Sequence, residues 1–456
     1  MLATDHAQRH STPDALPTTR PNTPQSVAGP TEQTHLLFDS DMLLPPVNDP
    51  AAVYRGTLAL GASILGTGVL AMPSACKSVG VLPFIALSIF AALVCHTTAL
   101  YLARTVKFLH ADTSEATYAS LGKFVLGHSW EKAIQWALVM QQLGACVGYV
   151  VVIGDVFTPV LQLMLGDRFG ALPASVVRNL IVWLVIFPIT VSVRDIGSLK
   201  HANAGAVFAI CAFCLTVLVN AFLLFAAPEP LPAMDLTPSR SIGFLHTVPL
   251  ICFAYDMHFN SVPVYNDVKQ GLPSKAILVV FKWSSRVAFL LSLVFTVIIG
   301  IAGYASFGPD TQPDILQNFP VAGTAISPVM NIVRSLYGFG LVLAFPVIVW
   351  ELRAVLLILT FSREYAQSTA AFWSVTLFAV LVTSLVVMLV SDVTVVFGLV
   401  GCTITPMLDY VVPCALYLKS GTAADYRDEV RPLLIMALGV LLIPLGFGFW
   451  VAANVF

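Results

Sequence analysis

Residues 56–80 read GTLALGASILGTGVLAMPSACKSVG, and residues 242–269 read IGFLHTVPLICFAYDMHFNSVPVYNDVK. Each approaches or exceeds the roughly 20 mostly apolar residues that a helix needs to cross a bilayer. Each is also a poor continuous helix. The first places Gly61, Gly66, Gly68 and Pro73 within one span. The second contains Pro249 and Pro263 and carries Asp256, His258 and Asn260 in an otherwise apolar run. A helix interior loses about 1 kcal/mol at Gly and about 3 at Pro relative to Ala, so both spans are expected to break. Interrupted spans in corresponding positions of two halves point to a solute site near the bilayer midplane.

The rest of the chain sets the frame for those breaks. Of 456 residues, 57% are hydrophobic and 11% charged, against about 25% charged in ordinary soluble domains. Mean hydropathy is +0.84. Backbone groups in lipid must be satisfied internally, which leaves helices or closed barrels, and long apolar runs rather than alternating ones select helices. Eleven spans are read at 56–76, 80–104, 132–164, 174–193, 201–227, 241–264, 276–304, 326–351, 371–390, 393–418 and 432–454. The eighth is the hardest to bound, because Glu351 and Arg353 interrupt a longer apolar run. Spans 1 and 6 open two five-span halves, with span 11 appended. Five is odd, so the halves insert in opposite orientations. The fold class is an all-α membrane protein with a 5+5 inverted repeat, broken helices 1 and 6, and one extra helix.

Residues 1–50 are polar and rich in Pro, Thr, Ser and Asp, and read as a disordered tail before a transmembrane domain at 51–456. No apolar h-region opens the chain, so the first span is expected to direct insertion itself. Lys and Arg gather on one side of the spans, at Arg104, Lys107, Arg194, Lys269, Arg353, Lys419 and Arg431 among others. The opposite side keeps Lys77, Arg168, Arg178 and Arg240. This bias places the N-terminus in the cytoplasm and the C-terminus on the external or lumenal side.

A broken helix frees amides at the start of one half and carbonyls at the end of the other. Amides suit a carboxylate; carbonyls suit an ammonium group or a cation. An amino acid offers both charges at a fixed separation. Thr67, Gly68 and Val69 are the candidate amides, with Leu65 and Gly66 at the break, and Phe253, Ala254 and Tyr255 are the candidate carbonyls. The competing reading is that the glycines only permit close helix packing; the matching break in span 6 weighs against it.

Asp256 is an ionisable group within a span, where such groups are costly and face a cavity or a partner. It is read as carrying a coupling proton, binding a cationic side chain, or pairing structurally with His258 or His246. His258 is either a second proton-coupling candidate, since unperturbed histidine titrates near neutrality, or a helix-stabilising hydrogen-bond partner. Asp155, Arg334, His96 and Glu351 read as structural or loop-proximal. Nearly all eight cysteines lie in apolar runs, and the CxxC of Cys211 and Cys214 has no second His/Cys cluster. No disulfide and no metal are expected.

Several phrases resemble the amino acid/auxin permease family of the amino acid–polyamine–cation superfamily. Ser63, Gly66, Gly68, Leu70 and Pro73 match its SxxGxGxLxxP, and Pro249, Phe253, Ala254, Tyr255, His258 and Asn260 match its P-x-x-x-FAF/Y-x-x-H-x-N. Tyr265, Asn266 and Asp267 follow in the manner of its YNE phrase; GYASFG from Gly303 and DILQNFP from Asp314 are similar to two later motifs. The resemblance covers 51–456. It implies the inverted-repeat fold of the bacterial leucine transporter (LeuT-type) and secondary active, alternating-access transport of an amino acid. Protons or sodium would drive it, with no organic cofactor. An amino-acid sensor or a facilitative, channel-like protein on the same fold is the alternative.

The departures bear on the driving ion. The sodium-coupled neutral amino acid branch has oxygen-bearing side chains where this chain has Ala62, Val342 and Ala344. Sodium favours hard oxygen ligands. The resemblance therefore favours protons over sodium and leans towards the vacuolar branch.

Glu32 with Leu36 and Leu37, and Asp39 with Leu43 and Leu44, each fit the acidic dileucine form [DE]xxxLL. Sorting adaptors would read such a tail, which suits an endolysosomal or vacuolar membrane, or a plasma membrane with endocytic recycling. Other classes fit poorly. No GxxxxGK[ST] phosphate loop is present, and a net charge of −2 offers nothing to nucleic acid. Gly61-Ala62-Ser63 is followed by Ile64 where rhomboid-like proteases have Gly, so no enzyme is expected.

Overall fold

The computed structural model describes residues 50–109, 116–165, 173–192, 200–228, 232–237, 243–269, 272–320, 322–324, 326–361, 368–390, 392–423 and 426–454. Residues 1–49, and with them Glu32, Leu36, Leu37, Asp39, Leu43 and Leu44, lie outside the described residues, as does the side chain of His246. Every regular element among the described residues is helical.

The first span is α1 (Pro50–Ile64), a 3-10 turn (Thr67–Ala71) and α2 (Met72–Val79), bent by 48°. Pro73 falls in the first turn of α2, where its missing N–H has no helical partner to lose. Gly80 then ends α2 at φ 81°, and a Cβ there would stand 2.8 Å from the backbone of Thr237. That turn requires glycine. It feeds α3 (Val81–Phe108), whose first amides at Val81 and Leu82 donate to the carbonyls of Asp235 and Leu236.

After α3 come α4 (Tyr118–Leu126), α5 (His128–Leu165), α6 (Ala174–Ser192) and α7 (Lys200–Ala226). The second half runs α8 (Gly243–Ala254), α9 (His258–Lys269), α10 (Ser274–Phe307), α11 (Ser327–Thr360), α12 (Thr369–Leu389) and α13 (Val393–Lys419). Helix α14 (Tyr426–Asn454) closes the chain and is its most peripheral span, with 6% of its apolar window buried. That suits a helix appended to a repeat. Short α4, capped by reciprocal bonds between Thr117 and Ser120, had no counterpart in the sequence reading.

Four of the five corresponding pairs of the two halves pack on one another, while α7 packs on α11 and α10. The first span meets α8 and α9, α3 meets α10, α5 meets α11, and α6 meets α12. This pairing is what a two-fold axis between inverted repeats produces. Nine helices among the described residues are long and apolar enough to cross a membrane, and the bent first span makes a tenth. Helices α8 and α9 have 12 residues each. At 1.5 Å per residue neither alone crosses a hydrocarbon core of about 30 Å, so the expected eleventh crossing depends on the two together.

The eighth span departs from expectation. Helix α11 continues unbroken past Glu351 and Arg353, which the sequence reading placed at its end and in a loop. Partners from neighbouring helices explain this. Gln142 on α5 donates to Glu351, while Arg353 donates to Thr376 Oγ1 at 3.2 Å and lies 4.1 Å over the Phe372 ring. Buried charges with such partners need not end a helix.

Candidate functional site

The break in the first span falls at Leu65 and Gly66, where Gly66 turns extended with φ −96° and ψ −157°. Thr67 and Gly68 open the 3-10 turn, so their amides have no carbonyl behind them within it. The Val69 amide reaches the Gly66 carbonyl at a long 3.5 Å. Beside Gly61 and Gly66 a Cβ would meet nothing within 4 Å, so open space lines this side of the break.

The second break spans residues 255–257. Asp256 N–H turns back to the Phe253 carbonyl at 3.2 Å, and Asn260 N–H bonds Met257 O at 3.0 Å. The carbonyls of Ala254 and Tyr255 sit at the end of α8, where a helix leaves carbonyls without amides ahead of them. The two breaks touch: a Cβ on Gly68 would stand 3.2 Å from Ala254 Cα and 3.8 Å from the Phe253 ring. Asn260 Nδ2 donates to Ser63 Oγ at 2.8 Å and ties α9 to α1. The structure thus sets Gly68 against Phe253 and Ala254, while Asp256, in the second break, is held by Gln141 of α5. Free amides lie on one side of the junction and the carbonyls that end α8 on the other.

Helix α13 is the third wall. Phe253 stacks on Phe397, with ring centroids 4.3 Å apart and planes at 16°, and Gly401 packs on the Pro249 backbone with no room for a Cβ. Lower in α13 a π turn spans Met407–Val411. Such turns leave a carbonyl without its helical donor, and here Tyr118 Oη on α4 donates to Leu408 O at 2.5 Å. The turn holds Asp409, which is wholly buried.

Asp256, His258 and Asp409 each place one ligand atom within 4.8 Å of the others. His258 Nε2 meets Thr98 Oγ1 at 2.8 Å, and His258 Nδ1 lies 2.9 Å from Asp409 Oδ1. The second contact is close without hydrogen-bond alignment, and both atoms lack a hydrogen-bond partner, as does Asp256 Oδ1. Gln141 on α5 donates to Asp256 Oδ2 and accepts from Thr405 Oγ1 at 3.4 Å. Two buried carboxyls and a buried imidazole can together hold a proton or a small cation. The structural pairing of Asp256 with His258, one of the three readings of Asp256, is here a trio, and Asp409 is the member that sequence reasoning missed. The signal was present: Asp409 is an acid within the apolar run 393–418 and lies between Pro406 and Pro413.

The residues expected to be structural form separate contacts. Asp155 pairs with Arg178 at 2.5 Å, Arg334 donates to the carbonyls of Leu316 and Phe319, and His96 meets Ser285 at 2.9 Å.

Two broken helices that touch at their breaks, one opening each half of the helical array, define the class as a membrane transporter of the inverted-repeat type. The family model described as "Transmembrane amino acid transporter protein" matches residues 49–454, and the chain belongs to that family. Among curated relatives, Amino acid transporter AVT6E of Arabidopsis thaliana is 27% identical, over 87% of this chain and 83% of its own length. Vacuolar amino acid transporter 2 of Saccharomyces cerevisiae is 24% identical, over 80% and 76%. Solute carrier family 38 member 10 of Mus musculus is also 24% identical, over 84% of this chain and 34% of that longer protein. A crystal structure of a mutant manganese transporter of Eremococcus coleocola superposes at a TM-score of 0.51. It is 12% identical and covers 90% of this chain and 96% of that one; at that identity the likeness concerns the fold alone. The protein is a multi-pass integral membrane protein of the amino acid/auxin permease family.

Proposed function

We propose that this protein carries amino acids across its membrane as a secondary active transporter, driven by protons and working by alternating access. The observation that carries the reading is the junction at Gly68 and Ala254. It sets Gly68, in the turn that opens with the free amides of Thr67 and Gly68, against Ala254 at the end of α8. A zwitterion placed there meets opposite partial charges at its two ends.

Sodium is the weaker driver. Ala62, Val342 and Ala344 offer no side-chain oxygen, and the last two are buried on α11. Family membership and relatives named as transporters support a carrier rather than an enzyme. The membrane we propose is endolysosomal or vacuolar, or a plasma membrane with recycling, with the N-terminus cytoplasmic and the tail motifs read by sorting adaptors.

Uptake of radiolabelled amino acids into proteoliposomes, run over a panel, tests the proposal. Saturable uptake should survive replacement of sodium by choline and should accumulate substrate under an imposed pH gradient. A strict sodium requirement defeats the proton reading. Binding without accumulation makes the protein a sensor.

A further inference from the structure

We infer that the coupling proton is held by two carboxyls, Asp256 and Asp409, and that it pins the broken sixth span to α13. This deepens the proton-driven reading above and rests on it.

The pair belongs to two different elements. Asp256 sits in the break between α8 and α9, and Asp409 in the π turn of α13. Those elements are already in contact through the Phe253–Phe397 stack and the packing of Gly401 on Pro249. Asp256 is 6% exposed and Asp409 0%, so water does little to screen their charges. None of the described Lys or Arg side chains forms an ion pair with either acid; the partner within reach is His258.

The remaining titratable groups facing the pair are weak acids on the surrounding helices. Cys95 on α3 lies 3.9 Å from Asp409 Oδ2 and 3.9 Å from the Tyr410 hydroxyl. Tyr410 donates to Cys252 on α8 at 3.4 Å, and Tyr118 on α4 is engaged with Leu408 O. None of these supplies a compensating positive charge.

Two carboxylates in such a place repel, and one proton between them removes most of that repulsion. Asp409 Oδ1 lies 2.9 Å from His258 Nδ1, and one carboxylate oxygen of Asp256 lies within 4.8 Å of a ligand atom of each; Asp256 Oδ1, Asp409 Oδ1 and His258 Nδ1 all lack a hydrogen-bond partner. A proton arriving from water on one side is held there, and it leaves to water on the other. While bound, it closes the joint between the sixth span and α13. Once it is gone, the facing charges favour separation of the two elements. Gln141, which donates to Asp256 and accepts from Thr405 of α13, positions Asp256 for this exchange and carries no proton itself.

The test uses the full-length protein in proteoliposomes, with an amino acid that the wild type takes up as the probe. Gradient-driven accumulation, proton movement by a trapped pH-sensitive dye, and counterflow exchange at equal pH are measured together. Asp409→Asn is expected to lose accumulation and substrate-linked proton movement, while exchange continues. Asp409→Glu is expected to recover part of both. The double variant with Asp256→Asn is expected to be no worse than either single change, because a shared proton can be lost only once. If wild-type uptake ignores the pH gradient, proton coupling and this inference fall together. If the wild type is gradient-driven and Asp409→Asn matches it, the inference alone falls. Loss of exchange in both Asp409→Asn and Asp409→Glu makes Asp409 a folding residue and overturns it as well. A zinc or manganese requirement that Asp409→Asn abolishes makes the trio a metal site, with the same consequence.

Discussion

Gly68 lies against Ala254 so closely that a Cβ on the glycine would stand 3.2 Å from the Ala254 Cα. The neighbour is backbone and cannot rotate away. Gly68→Val should therefore separate the two breaks and lose transport, and Gly68→Ala should weaken it less. Gly66 has open space around it and an extended backbone that any residue adopts. Gly66→Ala should fold normally and act on substrate affinity alone. Uptake kinetics with a parallel check of monodispersity separate these cases. Equal KM values for Gly66→Ala and the wild type would remove Gly66 from the substrate site.

A second contact lies away from the breaks. Asp155 on α5 accepts from Arg178 at 2.5 Å and from Gln317 at 2.9 Å, and the Asp155–Arg178 pair is buried. Removing one partner of a buried pair costs about 3–5 kcal/mol. Asp155→Ala should lower thermal stability in detergent by that order, and Arg178→Ala similarly. The double variant should lose less than the sum of the two. Simple additivity would mean that the pair contributes nothing as a pair.

The breaks were legible because Gly and Pro act locally. Gly66 and Gly68 mark the first break within a residue or two, and Asp256 stands in the second, whereas Pro249 and Pro263, expected to break the sixth span, lie inside α8 and α9. Partnerships between helices were not legible. Glu351 and Arg353 read as a helix end because nothing along the chain reveals Gln142, Thr376 or the Phe372 ring beside them. Asp409 was passed over although the rule that selected Asp256 applies to it equally. Its π turn depends on a carbonyl taken by Tyr118 from another helix, which no local periodicity encodes. The Val69 amide, expected to be open, has a long contact with Gly66 O because the chain re-enters helix through a 3-10 turn.

Topology provides a third test. We propose a cytoplasmic N-terminus from the Lys/Arg bias, and with eleven crossings Phe456 would lie on the other side. A protease site added at the N-terminus should be cut only from the cytoplasm, and one at Phe456 only from the opposite face. Cleavage of both from one side would mean that α8 and α9 do not cross together, and the inverted orientation of the halves would go with them.

The last prediction separates the two roles open to Asp256. Its Oδ2 is taken by Gln141, and its carboxyl lies beside His258 and Asp409, surroundings that favour the proton role we propose over a long cationic side chain. Asp256→Asn keeps the size and the Gln141 contact but cannot carry an exchangeable acidic proton. It should lose pH-driven accumulation, continue counterflow exchange, and treat neutral and cationic amino acids alike. Were Asp256 instead the partner of a Lys or Arg substrate, the same change would break a buried charge pair worth about 3–5 kcal/mol. Each 1.4 kcal/mol is tenfold in affinity, so cationic substrates would weaken by roughly two to four orders of magnitude while neutral ones persisted. A competition assay at equal pH, with labelled neutral substrate against unlabelled Lys or Arg, reads this difference directly. Selective loss of cationic competition in Asp256→Asn would move the residue from coupling to substrate recognition.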